Sequence, residues 1–291
     1  MNEKLFMRIK LDIIGFVLMI IALALAANLV AVTPSSVTQT AMTTSPFVYS
    51  FNTSGILNET GSLLESSSPY WWINSGGQLI MDGGIGATMQ GTAPLLNPWR
   101  VAYAAANPVD TDNGTHPQNL FRLITKSQWD TVRAESSFYI VRDNFSSSPN
   151  RNESNGLLLF NRYKDSQTLY YTGVRVDGTA VIKKKYRGTY YTMAQKPVFA
   201  GTYNAPKDTK NLLPHQTWFA LRSETRTNTD GNVTLALFMR YIGSNTWTKL
   251  LEATDSGQYG GTIPITGSGS AGIRTDFMDV RIDSFRLENL P

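Results

Sequence analysis

Residues 169–187 read LYYTGVRVDGTAVIKKKYR. Two β-rich runs, 168–176 and 179–188, flank Asp177-Gly178, and this dipeptide between alternating runs is a strong hairpin signal. Loop length then decides which residues share a face. A two-residue loop would set Arg175 opposite Ala180, away from Lys183 and Lys185. A three-residue loop puts Tyr171, Arg175, Lys183, Lys185 and Arg187 on one face, with Val174, Ala180 and Ile182 on the other. The second register separates charge from hydrocarbon and is the one expected. It yields a basic, aromatic-edged face suited to an acidic glycan. An ordinary solvated sheet face would look the same in sequence.

The same texture extends on both sides of the hairpin. Strands are expected at 47–52, 77–82, 119–125, 136–143, 156–163, 168–176, 179–188, 216–224, 232–241, 246–253, 271–275 and 277–288. They are short apolar or alternating runs bounded by Gly, Asn, Asp and Pro. No stretch after residue 47 shows a convincing 3.6-residue period. About a dozen strands without intervening helices argue an all-β protein, an antiparallel two-sheet sandwich rather than a parallel sheet. Asp230-Gly231 introduces a strand in which Val233, Leu235, Leu237 and Met239 form an apolar face. In 217–224, Phe219 and Leu221 point one way, and Trp218, Arg222 and Glu224 the other.

Composition narrows the chemistry. The chain has 291 residues, of which 16% are charged, against a globular norm of about 25%. Cysteine is absent, which excludes disulfides, thiolate metal sites and cysteine nucleophiles. The two histidines, His116 and His215, nearly exclude multi-histidine metal catalysis. Both adjoin prolines and read as turn residues, without a nucleophile elbow.

Residues 1–32 differ from the rest. Lys4, Arg8 and Lys10 precede an apolar run from Ile13 to Val32. About 20 apolar residues span a bilayer as a helix, and basic residues before them favour a cytoplasmic amino end. Two readings stand: a signal peptide cleaved near Ala24-Leu25-Ala26, or a retained anchor through residues 13–32. The apolar run continuing past the cleavage motif favours the anchor. Either way the rest is exported: to the outer side of the cell membrane, or secreted. Residues 33–46, TPSSVTQTAMTTSP, read as an exposed Ser/Thr/Pro-rich spacer. One domain, 47–291, follows. Against Glu3 and Asp12, the amino segment carries only one of the chain's four net positive charges. The remaining excess is small, and nucleic acid is not expected as a partner.

The segments WWINSGGQLIM (71–81), LYYTGVRVDGTAVIKKKYRGTYYTMAQKP (169–197), TWFALRSE (217–224) and GIRTDFMDVRIDSFRLENL (272–290) resemble the concanavalin A-like lectin/glucanase superfamily. More narrowly they resemble laminin-G-like and family-16-glucanase-like jelly rolls. The resemblance covers roughly 47–290. It implies two curved antiparallel sheets, saccharides on the concave sheet, and a structural calcium near the chain ends. Fold alone does not decide activity. The glucanases of this kind use E-x-D-x-x-E on one strand, and none of the eight glutamates here has an aspartate two residues on. Alginate-lyase-like members carry an R-[ST]-E-[LV]-R strand, which Arg222–Arg226 resembles, and a Y-x-K-x-G-x-Y strand, which Phe199–Tyr203 faintly resembles. The order is reversed, the lysine is missing, and there is no Q-x-H.

Three sets of candidate residues follow. The first is the hairpin face, Tyr171, Arg175, Lys183 and Lys185. The second is Trp218, Arg222 and Glu224, where an indole can stack on a sugar ring and Arg and Glu can bind hydroxyls or carboxylates. If both strands join one sheet, they form a single groove. The third is Asp279 and Asp283 on the closing strand, where the resemblance places Ca2+. Asp110-Thr-Asp112-Asn113-Gly114 lacks calcium-loop spacing and reads as a turn. No catalytic set is expected. The expected function is carbohydrate binding outside the membrane, with a cell-surface or environmental polysaccharide, acidic ones included, as partner. A polysaccharide lyase or glycoside hydrolase, and a structural surface subunit with a protein partner, are the alternatives.

Overall fold

The computed structural model describes residues 45–207, 209–261 and 263–291. The expected anchor or signal segment and residues 33–44 of the spacer lie outside the described residues. Among the described residues no helix is long and apolar enough to cross a membrane.

Strands dominate. In chain order they are β1 (Phe47–Tyr49), β2 (Gly55–Asn58), β3 (Trp71–Ser75), β4 (Gln78–Asp82), β5 (Ile85–Thr88), β6 (Leu120–Trp129), β7 (Val132–Asp143) and β8 (Gly156–Asp165). Then come β9 (Thr168–Arg175), β10 (Thr179–Tyr186), β11 (Thr189–Pro197), β12 (Phe219–Thr227), β13 (Val233–Tyr241), β14 (Thr248–Asp255), β15 (Gly269–Asp276) and β16 (Met278–Asn289). They form two antiparallel sheets. One runs β14-β13-β12-β7-β16-β5-β4-β2, with β1 also on β16; the other runs β11-β10-β9-β8-β15-β6-β3. The all-β antiparallel sandwich expected from the sequence is the fold observed.

One helix corrects the expectation of strands alone. Helix α1 (Pro98–Ala106) lies between β5 and β6. Its start is written locally: the Asn97 side chain accepts from the N–H groups of Trp99 and Arg100, and Pro98 opens the first turn. It buries only Tyr103, so its apolar stripe is too narrow to stand out by periodicity. The short strands β2, β3 and β5 and the exposed β11 also fall outside the spans read as strands.

Alternation builds the core. Trp71, Phe121, Leu159, Tyr170, Val174 and Ile182 of the seven-stranded sheet meet Phe138, Phe219, Leu221, Leu237, Ile282 and Phe285 of the nine-stranded sheet. The seven-stranded sheet buries its other face too. Ile124, Leu158, Phe160, Tyr163, Leu169, Tyr171 and Val181 form a second apolar cluster there, with Trp72 against it.

The β9–β10 hairpin has the three-residue register. Val174 faces Ala180 and Tyr171 faces Lys183, leaving Val176, Asp177 and Gly178 as the loop. Gly178 has φ +81°, and its N–H donates to Arg175 O at 2.9 Å. A Cβ at Gly178 would stand 2.4 Å from Phe199 O. Gly178→Ala is therefore expected to cost about 1–2 kcal/mol for the left-handed backbone alone, and more for the clash. A lowered urea midpoint is the readout, and an unchanged midpoint refutes this account of the turn. Arg187 is a correction: it sits in the β10–β11 turn with φ +49°, outside the strand.

Candidate functional site

The outward face of the seven-stranded sheet carries the candidate site. Arg122 on β6 stands directly opposite Arg274 on β15. Directly opposed like charges on neighbouring strands are destabilising without compensation. Asp276 supplies part of it: Arg274 Nε donates to its two oxygens at 2.8 and 3.1 Å. Beside the two arginines, Phe160 faces Tyr171 across β8 and β9, and Tyr171 faces Lys183 across β9 and β10. Tyr190 on β11 meets Tyr171 edge-on, with ring centroids 6.0 Å apart. Lys185 Nζ lies 4.7 Å from the Tyr190 ring centroid and donates to Ser166 O at 2.8 Å.

These residues enclose a depression of about 270 Å³, lined by Arg122, Phe160, Tyr163, Tyr171, Lys185, Tyr190 and Arg274 among others. Its lining combines the buried rings of Phe160, Tyr163 and Tyr171 and the exposed Tyr190 with the cations Arg122, Lys185 and Arg274. Electrostatics follow from the packing. Burial opposes the charge of Arg274, yet Asp276 and Tyr190 hold its pKa above the ordinary guanidinium value. Burial would raise Tyr190, but Arg274 and Lys185 beside the phenol bring its pKa below the ordinary value. Lys183 is lowered, by burial first and then by Arg175. The site therefore holds more positive charge than its own carboxylates neutralise, which favours an anionic occupant.

The sequence-predicted residues divide. Tyr171 and Lys185 line the depression. Lys183 and Arg175 share the face but not the lining. Arg175 is nearly buried and occupied, its Nε donating to Glu153 O at 2.7 Å and its guanidinium 3.1 Å from Asp177. Arg122, Phe160, Tyr163, Tyr190 and Arg274 were missed. On β8 the run GLLLFNRY is buried on both faces, so no polar alternation marks Phe160 as outward.

Arg222 and Glu224 lie on β12 of the other sheet and Trp218 immediately precedes it, so the single expected groove does not form. Phe219 and Leu221 point into the core, which turns Arg222 and Glu224 to the opposite outer surface of the sandwich. There Arg222 Nε donates to Glu135 at 2.7 Å, and Glu224 pairs with Arg133 at 2.8 Å. Trp218 packs on Tyr139, and Trp247 lies 4.0 Å from the Arg222 guanidinium. This is a cross-strand ion-pair ladder. The lyase-like reading of 199–203 also falls, because that segment is a loop and not a strand.

Asp279 is corrected as a calcium ligand. Its carboxylate is buried and takes four N–H donors. Gly91 N and Arg142 Nε reach Oδ2 at 2.6 and 2.8 Å, and Gln118 Nε2 and Asn144 Nδ2 both reach Oδ1 at 2.9 Å. Two donors per oxygen fill the lone pairs a metal would need. Asp283 sits half-buried on the same strand, opposite Ser137. Among the described residues no group of three or more His, Asp or Glu could hold a metal ion. Asp279→Ala would leave four donors without their acceptor, so a loss of about 2–4 kcal/mol is expected. Chelator should leave the melting temperature unchanged, and a melting temperature that falls with chelator would restore the calcium reading.

Both histidines have acidic partners that the sequence did not reveal. His116 Nδ1 lies 2.9 Å from Asp112 Oδ2, and His215 Nε2 lies 3.0 Å from Asp143 Oδ1. Each pair braces a loop. Asp110 is likewise structural. Against the burial that opposes its charge, hydrogen bonds from Ser148, Asn150 and Asn107 hold its pKa below the ordinary value.

No protein-family model matches the sequence, and no curated protein matches it. Among solved structures, the chain is similar to the carbohydrate binding module CBM66 from Bacillus subtilis. The identity is 12% and the TM-score 0.40, over 58% of this chain and 81% of that one. It is similar to a protein of unknown function with a galectin-like fold from Bacillus subtilis, at 14% identity and TM-score 0.41, over 81% of this chain and 97% of that one. It is also similar to a prokaryotic β-1,3-1,4-glucanase (lichenase) from a mouse hindgut metagenome, at 8% identity and TM-score 0.43, over 84% and 99%. At these identities and TM-scores the similarities decide neither activity nor ligand.

Proposed function

We propose that this chain is an exported, membrane-tethered carbohydrate-binding protein, and that it takes acidic saccharides on the outward face of its seven-stranded sheet. The observation that carries the reading is the opposed pair Arg122 and Arg274 lining one depression with Phe160, Tyr163, Tyr171 and Tyr190. Arginine donates bidentately to carboxylate or sulfate, and aromatic side chains pack on the apolar faces of sugar rings. The carbohydrate-binding module and the glucanase among the similar structures are compatible with this reading. The export and the tether rest on the basic-then-apolar order of residues 1–32.

The test is calorimetric titration with oligouronates and with neutral oligosaccharides of equal length. Acidic ligands should bind more tightly, and added salt should weaken them, because charges at an open site are screened within about 8 Å at physiological ionic strength. Equal affinity for both classes overturns the acidic preference, and no binding by either overturns the site. Cell fractionation, with sequencing of the mature amino end, tests the tether against cleavage.

A second reading is favoured by one observation. Tyr190 and Arg274 line the same depression, and a tyrosine hydroxyl beside an arginine that takes a carboxylate is placed for proton transfer α to that carboxylate. Lyase activity would appear as ultraviolet absorbance from unsaturated uronate products.

A further inference from the structure

Lys184 and Asp255 meet inside the sandwich, and both side chains are fully buried. Lys184 is on β10 of the seven-stranded sheet, and Asp255 closes β14 of the nine-stranded sheet. Lys184 Nζ lies 2.8 Å from Asp255 Oδ2. Each neighbouring polar atom has a definite place. Tyr170, directly opposite Lys184 in the β9–β10 ladder, donates its hydroxyl to Oδ2 at 2.5 Å. Gly257 N–H donates to Oδ1 at 2.9 Å. Lys184 Nζ also donates to Ile263 O at 2.9 Å. Ile265 N–H donates to the Tyr170 oxygen at 2.8 Å.

A fully desolvated ion pair is unfavourable. Transfer of one proton from Nζ to Oδ2 along this 2.8 Å contact gives an amine beside a carboxylic acid. Those are the reactants of an amide condensation. The fold holds them in contact, which removes the entropic cost of bringing them together.

We infer that Lys184 and Asp255 condense to an isopeptide bond that joins the two sheets covalently. The Nζ lone pair attacks Cγ and the C–N bond forms. The carbonyl electron pair moves to Oδ1, where Gly257 N–H stabilises the charge that develops. Tyr170 passes its proton to the protonated Oδ2, the Cγ–Oδ2 bond breaks, and water leaves. The carbonyl re-forms, and the surplus proton on Nζ returns to the Tyr170 oxygen. Ammonium and carboxylate become one amide and one water, with no oxidant, reductant or cofactor consumed.

The surroundings suit the product as well as the reactants. The new amide N–H faces Ile263 O, and its oxygen keeps the Gly257 N–H, so neither is left unsatisfied in the core. Burial, and then Asp255, raise the Tyr170 pKa, so the phenol stays protonated and able to donate. Among the described residues, the other ion pairs of comparable kind lack the ingredients. Arg162, as buried as Lys184, offers Asp130 a guanidinium and not an amine, and Asp130 is half exposed. Lys249 and Glu252 sit in solvent.

The test is peptide mapping by mass spectrometry of the purified full-length protein after denaturation and digestion. The expected result is one branched peptide joining the Lys184 and Asp255 segments, lighter than their sum by one water, with no protease cut after Lys184. Lys184→Arg and Asp255→Ala should abolish it, and Tyr170→Phe should leave the two peptides largely separate. Separate peptides at full mass from the unaltered chain overturn the inference. So does water loss confined to the Asp255 peptide, which would be cyclisation onto its own backbone. Because the decisive readout comes from the unaltered chain, misfolding of a variant cannot obscure it.

Discussion

Replacing Trp71 with alanine is expected to destabilise the folded chain by about 3–5 kcal/mol, the range for deleting a large buried aromatic side chain. Trp71 is fully buried on β3, at one end of the seven-stranded sheet. Its ring reaches across the sandwich to Phe285 on β16, edge-on, with centroids 4.8 Å apart. Phe47, Tyr49 and Phe51 pack around the same indole. One side chain thus ties β3 to β1 and β16 of the other sheet. Net stabilities run at about 5–15 kcal/mol, so the alanine variant should be close to unfolding. Its indole N–H is buried without a protein acceptor, which offsets part of the gain from burial. Trp71→Phe removes that N–H and should cost much less. The check is urea denaturation of the three proteins. A loss under about 1 kcal/mol for alanine, outside the cavity-forming range, would mean that the site collapses and that the Trp71 cluster does not join the sheets.

Arg274→Ala is expected to weaken binding of an acidic oligosaccharide by about 10- to 100-fold, following from about 1.5–3 kcal/mol for hydrogen bonds to a charged group. Two effects add. A guanidinium that lines the depression is lost, and Asp276, whose two oxygens share its Nε–H, is left to repel the ligand. Arg122→Ala should act in the same direction but less strongly, because it leaves the Arg274–Asp276 pair in place. Trp218→Ala should leave affinity unchanged, since Trp218 immediately precedes β12 of the nine-stranded sheet and packs on Tyr139. Thermal unfolding of each variant separates lost binding from lost fold. An Arg274→Ala protein that folds and binds as before removes the proposed site, and a Trp218→Ala protein that loses binding moves it to the opposite sheet.

How far the sequence could be read is shown by particular residues. Although Arg187 fell outside the strand, the register of the β9–β10 hairpin was legible, because it depends on local turn geometry and on which residues repeat at period two. So were the apolar stripes Val233–Met239 and Phe219–Leu221, since each sits on a strand with one buried face. Helix α1 was not, although its Asn-Pro start is a local signal, because a helix that buries one residue leaves no periodic stripe.

The site shows where local reading stops. By itself the sequence determined that the chain is an all-β antiparallel protein without thiol chemistry, and which side of each clear strand is apolar. These follow from composition and from interactions within a few residues. Only the tertiary structure decided that β9 and β10 lie in one sheet and β12 in the other. It alone set Arg122 opposite Arg274 across 152 residues of chain, filled the Asp279 carboxylate with donors from Gly91, Gln118, Arg142 and Asn144, and buried Lys184 against Asp255. Strand order is settled by how whole faces pack. Alternation says which way a side chain points but not which strand lies beside it, and charge placement, metal competence and covalent chemistry all depend on the neighbour.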